Sequence, residues 1–213
     1  GVHFMLNGRA AHLPVPGRHN VANALAAAGA ASLAGVPTEQ AVEALSTFPG
    51  LRRRLEVAGT AAGVTVIDDF AHNPDKIHAT LSSLAPHYER LLVMYQPHGF
   101  APTRMHRQAL ADVFSEDLRP ADVLCLADIF YAGGSVAADI SSADLAADIV
   151  PRHARTFHAP TRNDTARRFL AEARPGDAIV IMGARDDTLS HFARDILAAI
   201  PIPEGEDETR PVD

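Results

Sequence analysis

The stretch Leu91-Leu92-Val93-Met94-Tyr95-Gln96-Pro97-His98-Gly99-Phe100 decides how the chain is read. An unbroken apolar run, closed by a loop containing proline and glycine and followed by a helical segment from about Thr103 to Phe114, makes one strand, loop, helix unit. The unit recurs on both sides. Val64 to Ile67 leads into a helix from about Pro74 to Ala85, and Val123 to Ala127 into Ser141 to Val150. A short strand near Thr156-Phe157 precedes Asp164 to Ala173, and Ala178 to Met182 precedes Thr188 to Ala199. Such alternation predicts an α/β fold with a mostly parallel sheet covered on both faces. Ligands of open parallel sheets sit beyond the carboxyl ends of the strands. The informative loops are therefore Asp68 to Pro74, Gln96 to Pro102, Asp128 to Gly134 and Gly183 to Asp187.

Ahead of these units the pattern differs. Small apolar residues from Asn20 to Leu33 predict a closely packed helix, and Pro37-Thr38-Glu39 opens a second one to about Ser46. A break follows at Phe48-Pro49-Gly50; then Leu55 to Ala58 and Val64 to Ile67, separated by Thr60-Ala61-Ala62-Gly63, read as a hairpin. A domain boundary is expected near Leu51. The acidic, proline-rich residues 202–213 are expected to be disordered.

Of the 19 lysines and arginines only Lys76 is a lysine, and no glycine-rich loop precedes it. A P-loop, which needs Gly-Lys-Ser/Thr to reach the β- and γ-phosphates, is excluded from this stretch of sequence. The net charge of −7, with basic residues scattered, argues against a nucleic-acid-binding surface. The longest nearly apolar stretch, Ala24 to Gly35, falls well short of the roughly 20 residues of a membrane span. The single cysteine, Cys125, has no internal disulfide partner, which fits a reducing, cytoplasmic setting. The chain starts at Gly1 without a signal pattern, so it is expected to begin inside a longer protein.

Asp68-Asp69-Phe70-Ala71-His72-Asn73-Pro74 gathers two carboxylates, an imidazole and an amide at a strand end, with proline entering the next helix. On local grounds Asn73 reads equally well as a helix cap beside two solvated aspartates. His98 adds an imidazole at the same edge of the sheet, although alone it reads as an ordinary surface histidine. Arg52-Arg53-Arg54 lies at the inferred junction, where an arginine fork suits an anion across a cleft, or simply forms an exposed turn. In His19-Asn20-Val21-Ala22-Asn23 the two amides, three apart, share a helix face, unless Asn20 is only the N-cap. Gly183-Ala184-Arg185-Asp186-Asp187 is a strand-to-helix turn whose paired acids favour capping over phosphate binding.

The ordered set Gly17 to Ala27, Phe48 to Glu56 and Asp68 to Pro74, with Tyr95-Gln96-Pro97-His98 and Met182-Gly183-Ala184, strongly resembles the Mur ligase family, over about residues 3 to 200. Within it the chain is most similar to the alanine-adding branch and to the tripeptide ligases of peptidoglycan recycling. The resemblance implies ATP and Mg2+ as cofactors, a UDP-N-acetylmuramate-type substrate, and an amino acid or peptide as the second substrate. It implies that residues 1–50 end the central ATPase domain, as a helical remnant, and that residues 51–201 form the Rossmann-like amino-acid-binding domain. The phosphate-binding lysine and the metal ligands would then precede Gly1.

By the same resemblance His19, Asn20 and Asn23 would frame the adenine and Asp69 would accept from the ribose hydroxyls. Arg54 would approach the γ-phosphate. Phe70, His72, Asn73 and His98 would surround the incoming amino acid, with His72 in closest contact. The chain departs from the alanine-adding pattern at His98-Gly99-Phe100-Ala101-Pro102, where Gly99 and Pro102 stand in place of arginines and Arg104 is the nearest substitute. The acceptor is therefore open, and Asn73 is shared with other amino-acid ligases. Asp69→Ala and Arg54→Ala are expected to damage ATP use with the fold intact. The competing readings are a non-catalytic nucleotide- or partner-binding module and a metal hydrolase built on His72 and His98.

Overall fold

The computed structural model describes residues 1–131, 133 and 135–201; Gly134, in one of the loops singled out above, and the tail at 202–213 lie outside the described residues. The chain opens with a hairpin of β1 (Val2–Leu6) and β2 (Arg9–Leu13), which the sequence reading misses. The N-terminal part is thus not the purely helical piece expected. Helices α1 (Arg18–Leu33) and α2 (Thr38–Ser46) follow, and Leu6, Ala11 and Ala28 form a small core with them. Helix α1 buries only Ala24 and Ala28.

The larger sheet holds β3 (Glu56–Ala61), β4 (Val64–Asp69), β5 (Arg90–Gln96), β6 (Val123–Ala127), β7 (Thr156–Ala159) and β8 (Asp177–Gly183). Its order is β3-β4-β8-β5-β6-β7, with only the β3–β4 pair antiparallel. Helices α3 (Pro74–Leu84), α4 (Phe100–Asp117) and α5 (Ser142–Ile149) contribute to the core on one face. Helices α6 (Arg162–Glu172) and α7 (Leu189–Ala199) contribute to the other. The strand residues sort by their period of two: Leu91, Val93 and Tyr95 belong to the first core, Leu92 and Met94 to the second. Both faces being covered, the central strands are apolar throughout, which is why they read as continuous runs.

This order makes β4, β8, β5 and β6 consecutive parallel neighbours, so all four loops singled out above leave the sheet side by side at one edge. Gly183 makes the junction tight. A Cβ there would lie 2.7 Å from Leu189 Cδ1 and 3.0 Å from the Gln96 carbonyl oxygen, so the end of β8 approaches β5 as only glycine allows.

Phe114 is fully buried and its ring centroid lies 5.2 Å from that of Tyr95, whose hydroxyl reaches the site loop. Phe114→Ala is expected to lower unfolding stability by about 3–5 kcal/mol. Urea denaturation of both proteins checks this, and a loss below about 1 kcal/mol would show that this core does not carry the sheet.

Candidate functional site

The site starts from one carboxylate. Asp69, at the end of β4, is buried, and both its oxygens are engaged. Oδ2 accepts from the Leu55 backbone N–H at 2.7 Å; Oδ1 accepts from the Ala71 N–H at 2.8 Å and the Thr80 hydroxyl at 3.0 Å. A carboxylate offers about four acceptor positions, so one remains for a ligand. Neither Asp68 nor Asp69 is solvated, contrary to the local alternative above. Asp68 faces Arg53 and accepts from Ser190 Oγ at 2.5 Å, and its burial pushes the carboxyl above the ordinary aspartate range.

Asp69 lines a cleft of about 440 Å3 together with His19, Asn20 and Asn23 of α1 and with Arg54, Thr80 and Lys76. Residues as far apart in the chain as His19 and Thr80 thus meet in one place. Asn20 is not the N-cap of α1; Gly17 is, at φ 103, and the Asn20 amide donates instead to the Pro16 carbonyl at 2.7 Å. Its carbonyl oxygen stays available to a ligand.

The arginine triplet divides. Arg52 and Arg54 are exposed, whereas Arg53 is buried, donating from Nη2 to the Gly183 carbonyl at 2.8 Å. Its Nε lies 3.5 Å from Asp68, too far for a good hydrogen bond, and both Nε and Nη1 are buried without a hydrogen-bond partner among the described residues. The Phe70 ring lies between two guanidinium groups, 5.0 Å from Arg53 and 5.2 Å from Arg54. Arg53 and Leu55 both adopt left-handed backbone, at φ 55 and φ 49, a cost of about 1–2 kcal/mol each that fixes how Arg54 is presented.

Beyond Phe70 stand the imidazoles. His72 and His98 meet edge to face with ring centroids 5.2 Å apart. The Phe70 carbonyl 2.8 Å from His72 Nδ1 requires the proton on Nδ1, which leaves a lone pair on Nε2, 3.4 Å from the Lys76 ammonium. Burial first, then the charges of Lys76, Arg54 and Arg185, push the His72 pKa down. For His98 the causes are burial, then His72 and Arg185. The Tyr95 hydroxyl donates to the His72 carbonyl at 3.1 Å.

Asn73 is the N-cap of α3, its Oδ1 accepting from the Lys76 N–H at 3.0 Å, so the capping alternative is right for this residue. Arg104 is not brought to the site; it is exposed and paired with Asp139. Sequence reading gave no individual role to four contributors. Arg53 differs from its neighbours only in direction, and Arg185 is exposed by a left-handed turn at φ 69. Gln96 and Arg162 both bond to Asp186, binding the loops after β5 and β8, and their separation of 66 positions left no local signal. Among the described residues no group of three or more His, Cys, Asp or Glu is placed to hold a metal ion, and no helix is long and apolar enough to cross a membrane.

A sequence-family model, "Mur ligase, glutamate ligase domain", matches residues 53–185. The UDP-N-acetylmuramate--L-alanine ligase of Lachnospira eligens is 41% identical over 188 residues, covering 86% of this chain and 40% of the relative. That of Mycolicibacterium smegmatis is 37% identical, covering 86% and 37%. Among solved structures, the UDP-N-acetylmuramate-alanine ligase of Thermotoga maritima superposes with a TM-score of 0.71 at 22% identity, over 89% of this chain and 39% of that one. A murein peptide ligase of Psychrobacter arcticus gives 0.61 at 26% identity, over 90% and 39%. The chain spans about 40% of the length of the relatives it matches.

Asp69→Ala would strand two backbone donors and a hydroxyl, so the fold is not expected to survive it untouched, contrary to the simplest reading of the sequence. A loss of about 3 kcal/mol or more is expected in urea denaturation; an unchanged midpoint would remove Asp69 from its structural role. Because both site imidazoles titrate below the usual value of about 6.5, the unfolded chain takes up protons first as pH falls. Stability present above that pH is then lost on acidification. In His72→Gln/His98→Gln the fall in melting temperature below about pH 6.5 should flatten, and a profile parallel to wild type would contradict the neutral pair.

Proposed function

The chain belongs to the Mur ligase family, and from that premise we propose that it is the adenine-side and amino-acid-side portion of an ATP-dependent carboxylate-amine ligase of peptidoglycan synthesis or recycling. The observation that carries this is the single cleft shared by His19, Asn20, Asn23, Arg54 and Asp69. Two amides suit the donor and acceptor edge of adenine, and the remaining acceptor position of Asp69 suits a ribose hydroxyl. Residues 1–50 would close a central ATPase domain and residues 51–201 would form the amino-acid-binding domain. The exposed Leu25 and Leu33 of α1 fit a helix that packs on further protein.

In the proposed reaction a carboxylate oxygen of a UDP-N-acetylmuramate-type substrate attacks the γ-phosphorus of ATP, giving an acyl phosphate and ADP. The second substrate enters as an ammonium, loses a proton, and attacks the acyl carbon. The C–N bond forms, the C–O bond to phosphate breaks, and inorganic phosphate leaves as the nitrogen sheds its further proton. Arg54 would neutralise charge on the transferring phosphoryl group. His72, neutral with its Nε2 lone pair free of a proton, would take the ammonium proton. Closure about Pro49-Gly50 would keep water from the acyl phosphate. Mg2+ would accompany the nucleotide, but the described residues offer it no ligand set, and no step is routed through it. The setting proposed for this chemistry is the cytoplasm.

Adenosine titrated into the chain is expected to move the amide resonances of His19, Asn20, Asn23 and Thr80; shifts confined to other residues would overturn the cleft assignment. In the complete ligase carrying this chain, Arg54→Ala is expected to lower the rate of ATP-driven phosphate release about 100-fold or more. Wild-type turnover in that variant would remove Arg54 from the chemistry.

A further inference from the structure

A second cleft, of about 230 Å3, is lined by His98 and shares no residue with the cleft beside Asp69. Phe100, Phe130, Tyr131 and Val136 form its apolar wall, and Phe100 and Tyr131 face each other with ring centroids 5.1 Å apart. The wall is anchored to the site loop, since Gly99 N–H donates to the Phe130 carbonyl and Phe130 N–H to the Pro97 carbonyl, both at 2.8 Å. Arg185, an exposed residue, also lines it. Its charge is felt at both His72 and His98, yet its guanidinium has no hydrogen-bond or ion-pair partner among the described residues. It sits at φ 69, where glycine would be at ease, so the chain keeps a strained backbone to hold a cation beside the imidazoles.

We propose that this cleft is the specificity pocket for the acceptor amino acid: Arg185 binds its α-carboxylate, and the Phe100, Phe130, Tyr131 and Val136 wall takes a bulky apolar side chain. The inference rests on the ligase function proposed above. The three groups needed around an α-amino acid are present together. A cation faces the carboxylate, neutral imidazoles face the ammonium, and an apolar chamber faces the side chain. A methyl group would leave the chamber mostly empty. Among the described residues the lining contains no carboxylate to pair a cationic side chain, and Arg185 is the one arginine or lysine in it, so a dicarboxylate finds only one partner. Burying a leucine- or phenylalanine-sized group against these rings favours it over alanine by roughly 10- to 100-fold.

The test is amino-acid-dependent phosphate release by the complete ligase with L-alanine, L-leucine, L-phenylalanine, L-lysine and L-glutamate. Leucine or phenylalanine is expected to exceed alanine at least tenfold in kcat/KM. Arg185→Gly is expected to raise KM for the amino acid about tenfold or more, with kcat and KM for ATP little changed and Arg185→Lys in between. Because glycine relieves the left-handed backbone, Arg185→Gly should also raise Tm by a few degrees, which separates lost binding from lost structure. Preference for alanine, lysine or glutamate, or an unchanged amino-acid KM in Arg185→Gly, overturns the pocket assignment while the ligase function stands. Phosphate release with no amino acid of the panel removes the ligase function and this inference with it.

Discussion

Asp69 is the fixed point on which the site depends. Its carboxylate takes donors from the turn ahead of β3, from the loop after β4 and from the middle of α3, so three segments that also share one apolar core are held at one atom group. Remove it and Leu55 N–H loses its partner, the turn that carries Arg53 and Arg54 is free to relax, and Phe70 loses its place between the two guanidinium groups. A buried carboxylate that serves three donors is costly when broken because each donor is stranded away from water. The same residue lines the cleft proposed for the nucleotide, so its structural role and the proposed binding role are separable only through its last unused acceptor position.

Strand order does the rest of the assembly. With β4, β8 and β5 adjacent, Asp69, Arg185 and His98 leave the sheet on neighbouring strands although they are far apart in the chain. Phe70 and His72 then divide the edge of the sheet in two. On one side lie α1, Arg54 and Asp69, with polar groups suited to a nucleotide; on the other lie His98, Arg185 and an apolar wall. His72 links the two, its ring 5.2 Å from that of His98 on one side and its Nε2 3.4 Å from the Lys76 ammonium on the other.

The strands and helices of residues 51–201 were legible because each buried strand is a continuous apolar run and each helix follows a proline- or glycine-bearing loop. The β1–β2 hairpin was not, since Val2-His3-Phe4-Met5-Leu6 and Arg9-Ala10-Ala11-His12-Leu13 do not alternate polar and apolar residues, although the exposure of β1 does alternate, and they share only a small core with the two helices that follow. Among site residues, His19, Asn20, Asn23, Arg54, Asp69 and His72 could be named from ordered motifs. The burial of Arg53, the exposure of Arg185 and the detachment of Arg104 onto Asp139 depend on side-chain direction. Side-chain direction follows backbone torsion and distant partners, and neither is written in local composition.

Backbone torsion also shows where the fold accepts strain. Among the described residues, five that are not glycine have positive φ: Asn7 and Ala62 lie in hairpin turns, and the other three are Arg53, Leu55 and Arg185. Each of these three is held by a carboxylate at or beside it. Leu55 N–H donates to Asp69 and Arg53 N–H to Glu56, while Asp186, next to Arg185, accepts from Gln96, Arg162 and Thr188. A left-handed side chain persists only where its surroundings over-determine it. Here the surroundings are charged acceptors of backbone and side-chain donors, which are stronger than neutral ones and directional. Of the three residues so held, Arg185 lines the cleft beside His98, while Arg53 and Leu55 flank Arg54 in the chain and so fix the residue that lines the cleft beside Asp69. The strain is thus concentrated where cations must be presented before any anion arrives, so the ligand meets an arrangement already in place and need not order it on binding.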